Sequence, residues 1–133
     1  MCIRDSFRVA LDQPAVRTLL GRGDGAPETR RVWRELPFAR IVNGRLQQGR
    51  IDRLTAVYDE TESAPGRPIR GTVIDFKTDS IDAADAEAHA ERYRAQLEDY
   101  RDTAGGRLGL DPAEVRMILL FTATGRVVEL EAR

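Results

Sequence analysis

The sequence of 133 residues has little of several things, and each scarcity excludes a class of protein. With one cysteine, Cys2, the chain can form neither an internal disulfide nor a zinc or iron–sulfur site built from several thiolates. Its longest uninterrupted apolar run, Met117 to Phe121, is far shorter than the roughly 20 residues of a membrane-spanning helix. The start of the chain lacks the apolar stretch of a secretory signal. A formal charge of −1 argues against a strongly cationic surface. We therefore expect a cytoplasmic protein with no membrane partner.

Lysine is almost absent as well, because Lys77 is the single lysine among 21 basic residues and all the others are arginine. A coding bias that favours arginine is the simplest explanation of the excess. Lysine is a compact point charge whose pKa responds to burial, whereas arginine is a planar fork that stays protonated. A position that tolerated either residue would have become arginine in such a sequence, so Lys77 is the first candidate functional residue.

The composition, with 41% apolar and 32% charged residues, is typical of an ordinary globular chain, and the length suits one domain. We assign residues 7–133 to that domain. Residues 1–6 resemble translated adapter sequence and are set aside as a non-native extension. We therefore expect the natural chain to continue upstream and this domain to be truncated at its N-terminus.

The spacing of apolar residues and turn residues predicts two helices and five strands. Asn43-Gly44 is a strong hairpin signal, Ser80 and Asp82 are candidate helix caps, and Gly105-Gly106 is a candidate helix end. The predicted elements are a helix over Phe7–Leu20, strands over Arg31–Val42, Arg45–Tyr58 and Gly71–Thr78, a helix over Asp85–Thr103, and strands over Val115–Thr122 and Arg126–Leu130, with variable connections at Gly21–Pro27 and Glu60–Arg70. This α-β-β-β-α-β-β order predicts a mixed sheet flanked by helices, of the α/β or α+β type.

Two charged residues stand out in the third predicted strand. Asp75 and Lys77 are two residues apart and therefore project from the same face, opposite to Ile74 and Phe76. If the second and third strands are neighbours, Asp52 can lie beside Asp75 on that face. Three polar groups would then converge at one point.

Such a group of side chains has a definite chemical use. Two adjacent carboxylates repel each other unless a cation or a proton intervenes, and carboxylate oxygens with water are the ligands that Mg²⁺ prefers. A lysine beside the cation stabilises a nucleophile or the charge that develops on a phosphoryl oxygen. The alternative is a solvated ion pair between Asp75 and Lys77 that contributes little. The apolar flanks favour the functional interpretation, since burying charges without a purpose is costly.

The second predicted helix carries Tyr93, Gln96 and Tyr100 on one face. They are either an aromatic core stripe with a glutamine at its edge, or groups that fix the catalytic strand or contact a phosphate. His89, one turn earlier, is expected on the helix surface. Glu35 is either a solvated strand acid or a third carboxylate near the site.

Four segments, taken in order, resemble the PD-(D/E)XK nuclease superfamily, and most closely the C-terminal nuclease domain of RecB/AddA-type helicase–nucleases. The resemblance covers about Glu35 to Leu130 and is specific only as an ordered set. The segments are Glu35-x-Pro37-Phe38, Gly49-x-Ile51-Asp52-Arg53-Leu54, Ile74-Asp75-Phe76-Lys77-Thr78 and Tyr93-x-x-Gln96-Leu97-x-x-Tyr100.

The resemblance implies a restriction-endonuclease-like fold and a role for each matching residue. Asp52 and Asp75 correspond to the acidic metal ligands, the carbonyl of Phe76 to a backbone ligand, and Lys77 to the catalytic lysine. The implied metal is Mg²⁺, with Mn²⁺ as a substitute. Relatives with an iron–sulfur cluster use four cysteines, so that subgroup is excluded.

Other matches concern the surroundings of the site. Gln96 and Tyr100 match the motif that supports the site and contacts DNA, and Glu35 is a further candidate for either role. The upstream histidine ligand of many family members is missing here, since His89 is the first histidine. The only lysine is not in a phosphate-binding loop, so the fragment has no ATP site. DNA and a helicase domain, upstream or in trans, are the implied partners.

The sequence therefore predicts a metal-dependent deoxyribonuclease domain that acts in DNA end processing and recombinational repair. Whether it is an exonuclease or an endonuclease stays open. The main alternative is a catalytically inert nuclease-like module that binds DNA or a partner domain. A weaker alternative is a generic α/β domain in which Asp75 and Lys77 are placed by accident.

Overall fold

The computed structural model describes residues 10–21, 30–59, 66–79, 81–82 and 84–132 of the chain. They form an open five-stranded sheet in the order β1-β2-β3-β4-β5. Neighbouring strands are antiparallel except β3 and β4, which are parallel. The fold is thus α/β with a mixed sheet, in the predicted α-β-β-β-α-β-β order. The strands are β1 (Arg30–Val42), β2 (Arg45–Asp59), β3 (Arg67–Lys77), β4 (Val115–Phe121) and β5 (Arg126–Leu130).

Helices cover the two faces of the sheet. The structure has α1 (Pro14–Leu20), α2 (Ala86–Ala90), a 3₁₀ turn (Glu91–Tyr93) and α3 (Arg94–Leu108). The connection from β3 to β4 contains α2 and α3, because parallel neighbours need a long crossover. No helix in the described ranges is long and apolar enough to cross a bilayer.

The predicted helix over Phe7–Leu20 is wrong as one continuous element. The chain turns at residues 11–13, and α1 restarts with Pro14 in its first turn. Proline is well suited to that position, since its fixed φ is helical and its missing N–H would have had no helical partner. Residues 7–9 of this predicted helix lie outside the described part of the chain. So do residues 1–6, predicted to be a non-native extension, and residues 22–27 of the predicted loop.

The predicted end of the long helix is also wrong. Helix α3 continues through Gly105 and Gly106 and ends at Gly109, whose φ of 71° is left-handed. A Cβ on Gly105 would lie 2.8 Å from the Leu110 carbonyl oxygen. Gly105 is therefore required by close packing of the following chain, and Gly109 is the residue that ends the helix.

Two other predicted boundaries differ from the structure. Strand β3 begins at Arg67, so the last part of the predicted Glu60–Arg70 connection is strand, and residues 60–65 lie outside the described residues. The predicted cap Ser80 also lies outside them. At Asp82 it is the main-chain carbonyl, accepting from the Asp85 N–H, that makes the turn before α2.

Each face of the sheet has its own apolar core. Val73 packs on the α3 side, whereas Ile74 packs with Phe76 on the α1 side, so the predicted alternation of β3 is confirmed. Strand β4 contributes to both cores and is buried on both faces, as its continuous apolar sequence predicts.

The sheet forks between β2 and β3. These strands pair from Asp59 and Arg67 as far as Arg53 and Ile74, and no farther. Beyond that point β2 continues with β1 into the Asn43-Gly44 hairpin, while β3 continues with β4. The next residues at the fork are Asp52 and Asp75.

Candidate active site

Asp52 ends the pairing of β2 with β3 through its side chain. Its Oδ2 accepts a hydrogen bond of 2.8 Å from the backbone N–H of Phe76, which takes the place of a main-chain acceptor on β2. Since the N–H and C=O of one strand residue point to the same side, the Phe76 carbonyl is directed toward the same fork. The two predicted carboxylates and the predicted backbone ligand are thereby brought together.

A local irregularity turns Asp52 toward the fork. Trp33 and Leu54 are paired across β1 and β2 and pack on the α3 side, as do the paired residues Leu36 and Ile51. Residues three apart in a regular strand face opposite sides of the sheet. Since these residues all face the same side, the alternation of side chains shifts by one residue in each strand between the two pairs, and we call this shift the phase change. The pairing is interrupted there, opposite Asp52.

Glu35 lies at this interruption, with a φ of 49°. By register it is opposite Asp52, but its side chain is exposed and makes no hydrogen bond or ion pair with the described residues. The structure does not bring Glu35 into the carboxylate cluster, and its proposed supporting role stays a prediction.

Asp75 is an unusually placed carboxyl group. It is only 4% exposed, and burial, together with a hydrogen bond to Asp52, raises the pKa of Asp75 to about 7, against the opposing effect of Lys77. The Asp75 carboxyl therefore titrates near neutral pH rather than near pH 4. Asp75 Oδ2 is buried and has no hydrogen-bonding partner of good geometry among the described residues, although the Lys77 Nζ is 2.9 Å away as an ion-pair partner.

The ammonium group of Lys77 lies among three fixed groups. Its Nζ is 2.9 Å from Asp75 Oδ2, donates to Gln96 Oε1 at 3.1 Å, and lies 4.3 Å from the centroid of the Tyr93 ring. Gln96 in turn donates through Nε2 to the hydroxyl of Tyr100 at 3.1 Å. Lys77, Gln96 and Tyr100, predicted separately, form one connected network.

Sequence reasoning missed a residue that holds this network in place. Asp79 accepts a 2.6 Å hydrogen bond from the Tyr93 hydroxyl and contacts His89 Nε2 at 2.8 Å. These bonds lower the pKa of Asp79 and raise that of Tyr93. His89 is half-buried rather than on the open helix surface, with its ring edge-to-face on Phe121. The Asp75-x-Lys77-x-Asp79 spacing places Asp79 in the same alternation as the site residues. Side-chain alternation applies only within a strand, however, and β3 ends at Lys77.

The donor atoms at the fork suit a hard cation. The described residues contain no group of three or more histidine, cysteine, aspartate or glutamate side chains placed to hold a metal. The fork offers the carboxylates of Asp52 and Asp75 and the carbonyl of Phe76, all of which are oxygen ligands. Among the described residues, the buried Oδ2 of Asp75 has no well-aligned hydrogen-bond donor. Mg²⁺ typically takes one or two carboxylates and completes its shell with water, so these residues fit Mg²⁺ or Mn²⁺ and not a soft metal.

A cleft of about 460 Å³ lies elsewhere, between β1 and the end of α3. Its walls include Phe38, Ile51 and Arg107, but none of Asp52, Asp75 and Lys77. The candidate site is therefore the open fork and not this cleft.

Compared with models of known protein families, the chain matches none of them. A comparison with curated proteins likewise gives no match.

Proposed function

We propose that this chain is a nuclease domain that hydrolyses phosphodiester bonds in DNA with the help of Mg²⁺, and that its sheet is of the restriction-endonuclease-like type. The observation that carries the proposal is the buried Asp75 carboxyl, placed between Asp52 and the Lys77 ammonium at 2.9 Å. We place this activity in cytoplasmic DNA end processing and recombinational repair, next to a helicase domain upstream or in trans.

The proposed cation would be held by Asp52, Asp75 and the carbonyl of Phe76. When bound, Mg²⁺ polarises a phosphoryl oxygen and makes water a better nucleophile. The raised pKa of Asp75 means that cation binding must displace the proton of Asp75, so occupancy of the site by the cation increases with pH.

Besides the metal ion, Lys77 supplies a positive charge at the site. Its ammonium forms an ion pair with Asp75, donates a hydrogen bond to Gln96 and makes a cation–π contact with the Tyr93 ring. Because the ammonium is already held in place, it can stabilise the negative charge that develops on a phosphoryl oxygen in the transition state without first having to move. Gln96 acts as a positioning residue, since Tyr100 holds its amide group in turn.

Cleavage of labelled linear DNA in the presence of Mg²⁺ tests the proposal. Lys77→Ala and Asp75→Asn are each expected to lower the cleavage rate by about 100-fold or more, the loss typical of removing one preorganised transition-state group. Asp85→Asn is the matched control, because Asp85 is exposed and outside the fork, and it should cleave like the wild type. The assay is run on this chain and on the upstream-extended protein, with thermal melting to confirm folding.

Equal cleavage by the wild type and Lys77→Ala would show that the assigned role of Lys77 is wrong. If neither protein length cleaves DNA with Mg²⁺ or Mn²⁺, the nuclease proposal itself fails.

A second candidate, a catalytically inert module that binds DNA or a partner domain, is favoured by one observation. Glu35 lies outside the carboxylate cluster, so the described residues place two acidic side chains at the fork rather than three. DNA binding by the extended wild-type chain, without cleavage under any metal condition, would support this candidate.

A further inference from the structure

Four arginines lie on one face of the sheet, on the side of α1. Arg34 is directly opposite Arg53 across β1 and β2, and Arg30 and Arg70 are both opposite Val57. Residues in register share a face, and Arg53 is also in register with Ile74 of the α1-side core. We call Arg30, Arg34, Arg53 and Arg70 the arginine face.

The arginine face has no compensating charge in the described part of the chain. None of its four members makes an ion pair with a described residue. The positions between them on the same face are valine or threonine: Val32, Thr55, Val57 and Thr72. Since the whole sequence has a net charge of −1, this concentration of positive charge comes from arrangement and not from composition.

Arg53 shows that the face is electrostatically unsatisfied. It is only 8% exposed, and its Nε is buried without a hydrogen-bond acceptor among the described residues. Burial, and then repulsion by Arg34 and Arg30, lower the pKa of Arg53. Like charges directly opposite each other on neighbouring strands are destabilising.

A structural role accounts for one of the four residues only. Arg53 donates to the Leu20 carbonyl at the end of α1, at 3.1 Å, and a cation is favourable at that end of a helix. Arg30, Arg34 and Arg70 make no hydrogen bond of this kind within the described residues. An anion lying over the face would lower the repulsion among all four.

We propose that the arginine face binds the phosphate backbone of DNA. Arg30 and Arg34 are four residues apart on one strand, about 13 Å, and Arg30 and Arg70 are two strands apart, about 10 Å. A surface of this size accommodates several consecutive phosphates. The planar guanidinium group of arginine can donate two parallel hydrogen bonds to one phosphate. Arg34 and Arg53 are the sequence neighbours of Glu35 and Asp52, so the face extends along the strands to the fork. It lies on the opposite side of the sheet from Lys77, which contacts Gln96 and Tyr93. The choice of DNA among polyanions rests on the proposed function.

The test is equilibrium binding of a fluorescently labelled single-stranded oligonucleotide, measured by anisotropy in EDTA so that cleavage plays no part. The variant Arg30→Gln/Arg34→Gln/Arg70→Gln is compared with Arg45→Gln/Arg107→Gln/Arg126→Gln. The control triple removes the same charge from exposed arginines outside the face. Arg53 is left unchanged because its contact with Leu20 supports the fold.

We expect the first triple variant to bind at least about 10-fold more weakly at about 100 mM NaCl, and the control less than about 2-fold. The slope of log affinity against log salt concentration should fall by about 2, since each phosphate contact on a single strand contributes about 0.7. Equal weakening in both triples would mean that only net charge matters, and no loss in either would mean that the face does not bind DNA. Both outcomes overturn the inference.

The binding assay separates this inference from the proposed function. If the first triple variant loses DNA binding while the wild type never cleaves, the arginine face is right and the nuclease proposal is wrong. If the wild type cleaves and the triple variant binds like the wild type, the nuclease proposal survives and the arginine face does not.

Discussion

At the scale of single residues, the surroundings of Lys77 explain why the one lysine of an arginine-rich chain lies at this position. Asp75, Gln96 and Tyr93 surround a single nitrogen atom at 2.9, 3.1 and 4.3 Å. A compact ammonium fits among three such groups, whereas a planar guanidinium would need donors and space in one plane. The scarcity of lysine pointed to the residue, and the structure supplies the physical reason.

Tyr93 is predicted to position Lys77 through its ring. Tyr93→Phe keeps the ring and loses the bond to Asp79, whereas Tyr93→Leu loses both. A cation–π contact contributes about 0.5–2 kcal/mol, so in the cleavage assay Tyr93→Leu should lower kcat by about 10-fold with little change in KM. Tyr93→Phe should lower kcat by about 3-fold or less.

Tyr58, whose ring lies under Arg31 far along β2, provides the control. Tyr58→Phe and Tyr58→Leu should leave kcat unchanged. Loss of activity in Tyr93→Phe as large as in Tyr93→Leu would show that the hydroxyl, and not the ring, is the important part.

The residues of the site were predictable to the extent that strand alternation governs them. Asp75 and Lys77 share a face because they are two apart on β3, and Gln96 and Tyr100 share a helix face, so both pairs were predictable. The orientation of Asp52 depends on the phase change opposite Glu35. The three-residue spacing of Ile51 and Leu54 marks that change, but strict strand alternation does not predict it. Asp79 lies beyond the strand end, where no periodicity applies.

At the scale of elements, adjacent glycines in α3 have different roles. Gly106 is exposed, and a Cβ there would have nothing within 4 Å, whereas a Cβ on Gly105 would lie 2.8 Å from the Leu110 carbonyl oxygen. Gly106→Ala should therefore raise the free energy of unfolding by about 0.5–1 kcal/mol, through helix propensity and a less flexible unfolded chain. Gly105→Ala should lower it by about 1–3 kcal/mol, the usual cost of overpacking.

Urea unfolding checks this prediction, with each variant serving as the control for the other. The midpoints should move in opposite directions from that of the wild type, with equal slopes. A shift of both midpoints in the same direction would mean that packing at Leu110 is not what requires Gly105.

Other elements show where local sequence was sufficient. The hairpin between β1 and β2 follows from Asn43-Gly44, which have φ values of 51° and 77° as a tight hairpin turn requires. The start of β3 was missed because Pro68 is unfavourable in a strand. It is tolerated here at a register shift between Val57 and Tyr58, where the ladder is already irregular.

At the scale of the whole molecule, a net charge near zero conceals an uneven distribution of charge. The carboxylates of Asp52 and Asp75 lie at the fork, and the arginine face lies on the α1 side of β1, β2 and β3. Composition gives only the sum of these charges. Their separation depends on strand register, which fixes the face of every side chain and which a shift of one residue would reverse.

The buried carboxyl at the fork should make the stability of the whole metal-free protein depend on pH. The pKa of Asp75 is raised from 3.8 to about 7 in the folded state, so the folded state keeps a proton that the unfolded chain releases. This stabilisation is complete below about pH 4 and is lost as the pH rises to about 7. Asp79 and Glu129, whose pKa values are lowered, act in the opposite sense but only at acidic pH.

Thermal melting in EDTA measures this dependence. The melting temperature of the wild type should fall by up to about 10 °C between about pH 5 and pH 8, and Asp75→Asn should remove most of that fall, whereas Asp85→Asn should not. Because a cation at the fork competes with the proton of Asp75, the rise in melting temperature on adding Mg²⁺ should be larger at pH 8 than at pH 5. Identical pH profiles for the wild type and Asp75→Asn would show that Asp75 is not the titrating group.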